Sequence, residues 1–505
     1  MINFAMSRRL VILVATAILL GSSLLLVSWD SQSGSLWARP SDTATKETTA
    51  PSTPSTPSNP STDSKPPTDS NPPTDSNPPT DSNPPTDSKS PTTPSATAPS
   101  LLPHVEAYFQ QVFSMGEPAP YEYSMLREFC ENTSWRTDNV YLKCGGMSAG
   151  LTSIVSQVKV CLKMAIDAGT HLVLPAMPLR DSDDLQNFNF LNASAYMTYD
   201  EWFDAEHLIK QMGRACPKMK IIHPHQIEDK SVAVKHSFEM SCGDAWGYQK
   251  IHSYFWVGRP FRTFFEGQLF FLYTKANQEA EKNKTPPPGD GITVVFIDSE
   301  FLLYRITDDP TRRDLRLWND LSHIVRFKQD ARLIIDRLLS KLTRPHYGVH
   351  FRVESDAIWS SLEHQLEVDL DALDKAWSRF GHPEREKPLV YLACGSATQV
   401  EKFVDAGKKR GWEVTHKWRL VDDDPTTTKL INDLPFDFQG AVDMGVMIRS
   451  EFLLGLQGSA FSSTIANQRD VTGRYRGSSF EMPDDEGART HLFNDLDATE
   501  YACCL

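Results

Sequence analysis

Residues 140–175 read VYLKCGGMSAGLTSIVSQVKVCLKMAIDAGTHLVLP, and the pattern of this stretch changes period twice. Val140–Lys143 is a strand-like run that leads into Cys144-Gly145-Gly146-Met147-Ser148-Ala149-Gly150. Leu151, Ile154, Val155, Val158, Leu162, Ala165 and Ile166 then recur at three and four, the spacing of one helix face. Gly169 ends that helix, and His171-Leu172-Val173-Leu174-Pro175 reads as the next strand. Strand, glycine loop, helix, strand is a βαβ unit, which implies a parallel sheet. Further strands are predicted at Lys220–His223, Ile292–Ile297, Tyr347–Val353, Leu389–Ala393 and Phe452–Leu456, and helices at Ile324–Leu342, Val400–Lys408 and Phe461–Asn467. The fold class is therefore α/β, with two Rossmann-like domains facing a cleft, 101–325 and 326–505. TPPPGDG at 285–291 reads as a surface turn inside the first.

The 505 residues are not of one kind. Leu10 to Ser28 is free of charge, with Arg8 and Arg9 before it and Asp30 after it. Such a run suits a signal-anchor that leaves 1–9 in the cytosol and the rest in the lumen. A cleaved signal peptide is the other reading, and both send the body into the secretory pathway, with endoplasmic reticulum or Golgi favoured. Of 34 prolines, 16 fall in residues 31–100, where PPTDS occurs four times at a spacing of six. That composition cannot bury enough apolar surface to order itself and reads as an extended stem, an expected carrier of O-glycans. The net charge of −14 and pI near 5.5 argue against nucleic acid as a partner, because phosphate neutralisation needs clustered Lys and Arg.

Eight cysteines show neither zinc spacing nor disulfide-scaffold density. Nearness in sequence suggests Cys130–Cys144 and Cys216–Cys242 as bridges, while Cys161 and Cys394 sit in apolar segments as buried thiols. Sequons stand at Asn132, Asn192 and Asn283.

Three motifs carry candidate chemistry. The loop 144–150 lets backbone approach a ligand at a helix start, though it is neither GxGxxG nor a Walker loop. In YGVHFRVESD, residues 347–356, strand alternation puts His350, Arg352 and Glu354 on one face near a strand's carboxyl end, where open α/β sheets bind ligands. Arg352 is suited to fork onto a diphosphate. SEFLLGLQGSAFSS, residues 450–463, is an apolar strand ending in a Gly/Ser turn whose hydroxyls and N–H groups suit phosphates without a metal.

Together these motifs resemble the GDP-fucose protein O-fucosyltransferase family, taken broadly to include plant and fungal relatives, over roughly residues 135–475. The Gly145-Gly146 loop looks like that family's first motif, and Tyr199-Asp200-Glu201-Trp202-Phe203-Asp204 its aromatic-acidic segment. His350-Phe351-Arg352 is similar to its His-x-Arg, and Ser459-Ala460-Phe461-Ser462, with Arg469-Asp470 beyond, to its phosphate loop. Met147-Ser148 stands where the family usually offers Asn, and the loop carries no carboxylate.

The resemblance implies an inverting GT-B glycosyltransferase that moves fucose from GDP-fucose to a hydroxyl on protein or glycan, with no divalent metal and no cofactor beyond the donor. Arg352 is expected at the diphosphate, His350 by the nucleoside and Asp443 at guanine. Gly145, Gly146, Ser148, Ser459, Phe461 and Ser462 are expected around the donor. Glu354 and Asp356 are the candidate bases by position. Three rivals stand beside this reading: the same fold with another nucleotide sugar, a metal-dependent enzyme using Asp181-Ser182-Asp183 or Asp422-Asp423-Asp424, and a lumenal binding module whose site has decayed.

Overall fold

The computed structural model describes residues 102–180, 185, 196–241, 254–255, 261–285, 289–298, 303–304, 311–354, 361–382, 384–470 and 489–493. The expected tail, anchor and stem lie outside the described residues. Among the described residues no helix is long and apolar enough to cross a membrane.

Fourteen strands are described: β1 Val140–Gly145, β2 His171–Val173, β3 Met177–Pro178, β4 Tyr196–Met197, β5 Ile221–Ile222, β6 Val234–Ser241, β7 Tyr254–Phe255, β8 Ile292–Asp298, β9 Leu303–Tyr304, β10 His346–His350, β11 Leu389–Ala393, β12 Val414–Thr415, β13 Phe452–Leu456 and β14 Thr490–Phe493. Ten of them build two five-stranded sheets, β5-β2-β1-β8-β6 and β12-β11-β10-β13-β14, and the other four pair as β3-β4 and β7-β9. Every pairing in both sheets is parallel. Numbered in chain order, the second sheet runs third, second, first, fourth, fifth, the order of a Rossmann half. The first sheet exchanges its last two strands.

β10, β11 and β13 are buried along their whole length. Strands covered on both faces favour apolar residues along their length, which is why β11 and β13 read as continuous runs, while β10 carries a buried histidine at each end, His346 and His350. The helix Leu151–Ala168 buries all its residues except Lys163 and Asp167. Its polar side is therefore not a solvent face: Thr152, Ser153, Ser156, Gln157 and Lys159 are all buried. Lys159 Nζ donates to Ser322 Oγ at 3.0 Å and lies 4.2 Å from the Trp318 ring. Gln468, on the helix Ala460–Arg469, donates to the same hydroxyl. One hydrophobic core runs from Val105 to Leu492 and includes residues of both sheets. Ile324, Val325 and Phe327 are buried within it, so the residues around 325 form no exposed linker.

Three expectations change. The helix expected from Ile324 begins at Gln329, because Phe327 N–H donates to Val112 O and Asp204 N–H to Arg326 O. The strand expected to reach Val353 ends at His350, so Arg352 and Glu354 lie beyond it and share no strand face. The disulfides are Cys130–Cys216 and Cys144–Cys161, with Cα–Cα distances of 5.4 and 6.1 Å. Cys161 is thus bonded rather than a thiol, while Cys394 is free and buried. Cys242 lies outside the described residues.

Candidate functional site

The strand order of the second sheet reverses between β10 and β13, and ligands of open α/β sheets bind at the carboxyl ends flanking such a point. His350 closes β10. Its Nδ1 lies 2.7 Å from Ser462 Oγ, and its ring packs 4.6 Å from that of Phe461. Ser462 Oγ accepts from Leu456 N–H at 3.2 Å, which leaves the hydroxyl proton to donate to His350 Nδ1. Burial, aided by Arg352 and only partly offset by Glu354, pushes His350 down to about 4, so the ring is neutral at pH 7. A Cβ on Gly455 would stand 2.5 Å from Ser462 Oγ, so only glycine lets this hydroxyl reach the sheet.

Ser459 begins the helix Ala460–Arg469. Ser459 makes no side-chain cap and the first turn holds no acidic residue, so the helix supplies no counter-charge of its own to the positive end of its dipole. Ser463 Oγ donates to Gln457 O at 3.2 Å and closes the turn.

Phe351 N–H donates to Ala393 O, continuing the ladder one residue past β10. Arg352 then leaves the sheet, and its Nη1 donates to Glu354 Oε2 at 2.6 Å. Burial would raise the Glu354 carboxyl, but Arg352 and His350 outweigh it and hold the group below the usual carboxylate range. A carboxylate so held is a weaker proton acceptor than a free one, and it is hydrogen-bonded to Arg352. Gly395 makes room for it: a Cβ there would meet Glu354 Oε1 at 2.6 Å. Asp356 lies outside the described residues.

Asp443 is buried in a triad, accepting from Tyr391 Oη at 2.7 Å and from Lys417 Nζ at 2.6 Å. Burial raises its carboxyl despite the lysine. Both oxygens already have partners inside the fold.

The loop after β1 is folded on itself. Gly146 has φ 68° and Ala149 φ 82°, a conformation side chains rarely adopt. A Cβ on Gly145 would overlap the Phe296 ring at 2.0 Å. Ser148 is fully buried, its N–H donating to Gln157 Oε1 at 3.3 Å and its C=O accepting from Gln157 Nε2 at 2.6 Å. Leu151 N–H, at the helix start, donates to Asp437 Oδ1 at 3.2 Å, and Arg180 Nη2 donates to the same oxygen at 2.7 Å. At the loop where Gly145, Gly146 and Ser148 are expected around the donor, Gln157 holds the Ser148 backbone and Asp437 takes the anion position at the helix start. The Asp-x-Asp at 422–424 is likewise spent on structure: Asp424 caps the helix Pro425–Asp433 and Asp423 pairs with Lys341. Asp181 and Asp183 lie outside the described residues. Among the described residues no three His, Cys, Asp or Glu are grouped to hold a metal ion.

Arg180, Asp437 and Gln365 escaped the sequence reading. Their partners lie 257, 286 and 13 residues away, and no short-range pattern marks them.

No family model matches the chain, and no curated protein matches it in sequence. Among solved structures it is similar to POFUT1 in complex with GDP-fucose, with TM-score 0.36 and 13% identity over 68% of this chain and 96% of that one. POFUT1 in complex with GDP gives TM-score 0.35 and 12% identity over 68% and 97%. Fucosyltransferase NodZ from Bradyrhizobium gives 0.32 and 14% over 63% and 89%. At TM-scores this low, fold and chemistry both rest on the chain's own geometry.

Proposed function

We propose that the protein is an inverting glycosyltransferase of the GT-B kind, binding a nucleotide-diphosphate sugar, GDP-fucose foremost, at the carboxyl end of its second sheet. The observation that carries this is the gathering of Arg352, His350 and an uncapped helix start at the strand-order reversal of a Rossmann-ordered sheet. Arg352, oriented by Glu354, forks onto the diphosphate, and the N–H groups beginning at Ser459 take its remaining charge. An acceptor hydroxyl on protein or glycan attacks the anomeric carbon, the bond from that carbon to the diphosphate oxygen breaks, and GDP leaves as the sugar inverts. Arg352 and the helix start supply the stabilisation of the departing charge, so the reaction requires no divalent ion. Asp356 is the proposed acceptor of the hydroxyl proton.

The body is proposed to lie in the Golgi or endoplasmic reticulum lumen on the 10–28 anchor and 31–100 stem, with 101–325 on the acceptor side and 326–505 on the donor side. Two disulfides fit an oxidising compartment, and the sequon residues Asn132 and Asn283 are exposed. One observation favours a second reading, a binding module without catalysis: the described candidate base, Glu354, is ion-paired.

The test titrates GDP, GDP-fucose and UDP-glucose into the full-length protein by calorimetry with EDTA present, alongside Arg352→Ala. Selective GDP-fucose binding that the variant loses supports the reading, and slow release of free fucose separates enzyme from module. Preference for the UDP-sugar overturns the donor. Absence of any nucleotide binding, with EDTA or with Mn²⁺, sinks the proposal.

A further inference from the structure

We infer that Gln365 is the positioning residue that aims Arg352, closing the last rung of the sheet with its own side chain. The inference rests on the proposed function and deepens it. β10 ends at His350, and the ladder gives one more bond, from Phe351 N–H to Ala393 O. At Arg352 the neighbouring strand is replaced by one amide: Arg352 N–H donates to Gln365 Oε1 at 2.7 Å, and Gln365 Nε2 donates to Arg352 O at 2.9 Å. A planar amide offers one acceptor and one donor side by side, the same pair a strand edge would present.

Gln365 is 1% exposed and stands in the first turn of the helix Leu362–Phe380. Ser361 fixes that turn, its Oγ accepting from His364 N–H at 3.2 Å. The helix start therefore determines the backbone angles of Arg352, and the guanidinium follows onto Glu354. A buried glutamine spends polar desolvation that an apolar residue of equal length would avoid. Here both ends of the amide serve a single residue, the one whose guanidinium the reaction needs.

The test uses full-length protein with Gln365→Met, of similar length without the hydrogen bonds, and Gln365→Glu. With GDP-fucose, Gln365→Met is expected to keep KM within about twofold while kcat falls on the order of 10- to 100-fold, the cost of a misplaced reacting group. In Gln365→Glu the carboxylate faces Arg352 O and repels it. Protonated, it again offers one donor and one acceptor, so activity relative to wild type should climb as the pH is lowered. A wild-type kcat in Gln365→Met, or a flat pH ratio in Gln365→Glu, overturns the inference. If the wild type neither binds nor turns over the sugar nucleotide, the functional reading fails, and amide exchange still decides the clamp. Lost protection at the Arg352 N–H in either variant supports it; unchanged protection in both refutes it.

Discussion

Two helices start beside the central strands of the two sheets, and they begin in opposite electrostatic states. Leu151, after β1, meets the carboxylate of Asp437, which Arg180 neutralises in turn. Ser459, after β13, meets no capping side chain and no acid in the first turn. A helix start attracts one anion. The first has been given an internal one and becomes a clasp between the two sheets. The second supplies none from its own first turn, and the proposed function assigns that place to a diphosphate. Glycine content does not separate them, since both loops are glycine-rich; what separates them is whether the fold supplies the counter-charge.

The largest effect should come from removing the guanidinium at the open start. Arg352→Ala is expected to lower turnover of a sugar nucleotide by about 10²- to 10³-fold, the usual loss for one transition-state donor, and to lower the melting temperature as well, because Glu354 is left buried without its charge partner. Breaking the clasp should cost stability alone. Asp437→Asn leaves Arg180 largely buried without its charge partner and should cost about 3 kcal/mol in a denaturant titration, with nucleotide affinity held within about twofold. A larger affinity loss would mean that the closed start also handles ligand. Gly395→Ala sets a methyl against Glu354 Oε1 and Phe436, at 2.6 and 3.1 Å, and should cost about 2 kcal/mol while lowering turnover through a displaced Arg352.

Acid sharpens the contrast further. His346, His350, His416 and His491, around the second sheet, are all pushed down to about 4, chiefly by burial; His207 and His323 are pushed as far elsewhere, and burial also lowers His171 and His236 in the first sheet. Their ordinary value is near 6.5, so between there and 4 the unfolded chain binds more protons than the folded one. Stability therefore falls as the pH drops through that window, by up to about 1.4 kcal/mol per histidine per pH unit. Hydrogen exchange at pH 5 should show the second sheet opening before the first. The smallest effect expected is none at all: EDTA should leave sugar transfer unchanged, because the charge at the open start is met by Arg352 and backbone.

The sequence disclosed the scaffold better than the site. β11 and β13 were legible because doubly covered strands are apolar along their length, and the glycine loop with its helix because the period shifts from strand to helix in one stretch. The helix Leu362–Phe380 was not picked out, although Leu366, Leu370 and Leu373 follow helical spacing, and with it went Gln365. The shared face expected of His350, Arg352 and Glu354 failed because a strand's end is set by its neighbours: the ladder partner on β11 runs out at Ala393. Asp437 illustrates the general limit. Nothing near it in the chain reveals that its partners are Leu151 and Arg180, which only the packing of one sheet's helices against the other's brings close.

The pairing of the cysteines bears on how the chain is made. During synthesis the N-terminal residues emerge first, so Cys130 and Cys144 meet before either native partner exists, across a loop shorter than the 17- and 86-residue separations of the native bridges. The earliest bridge available is thus a wrong one, and it is the one that nearness in sequence suggests. Cys161 arrives next and can reclaim Cys144 by thiol–disulfide exchange, freeing Cys130 to wait for Cys216.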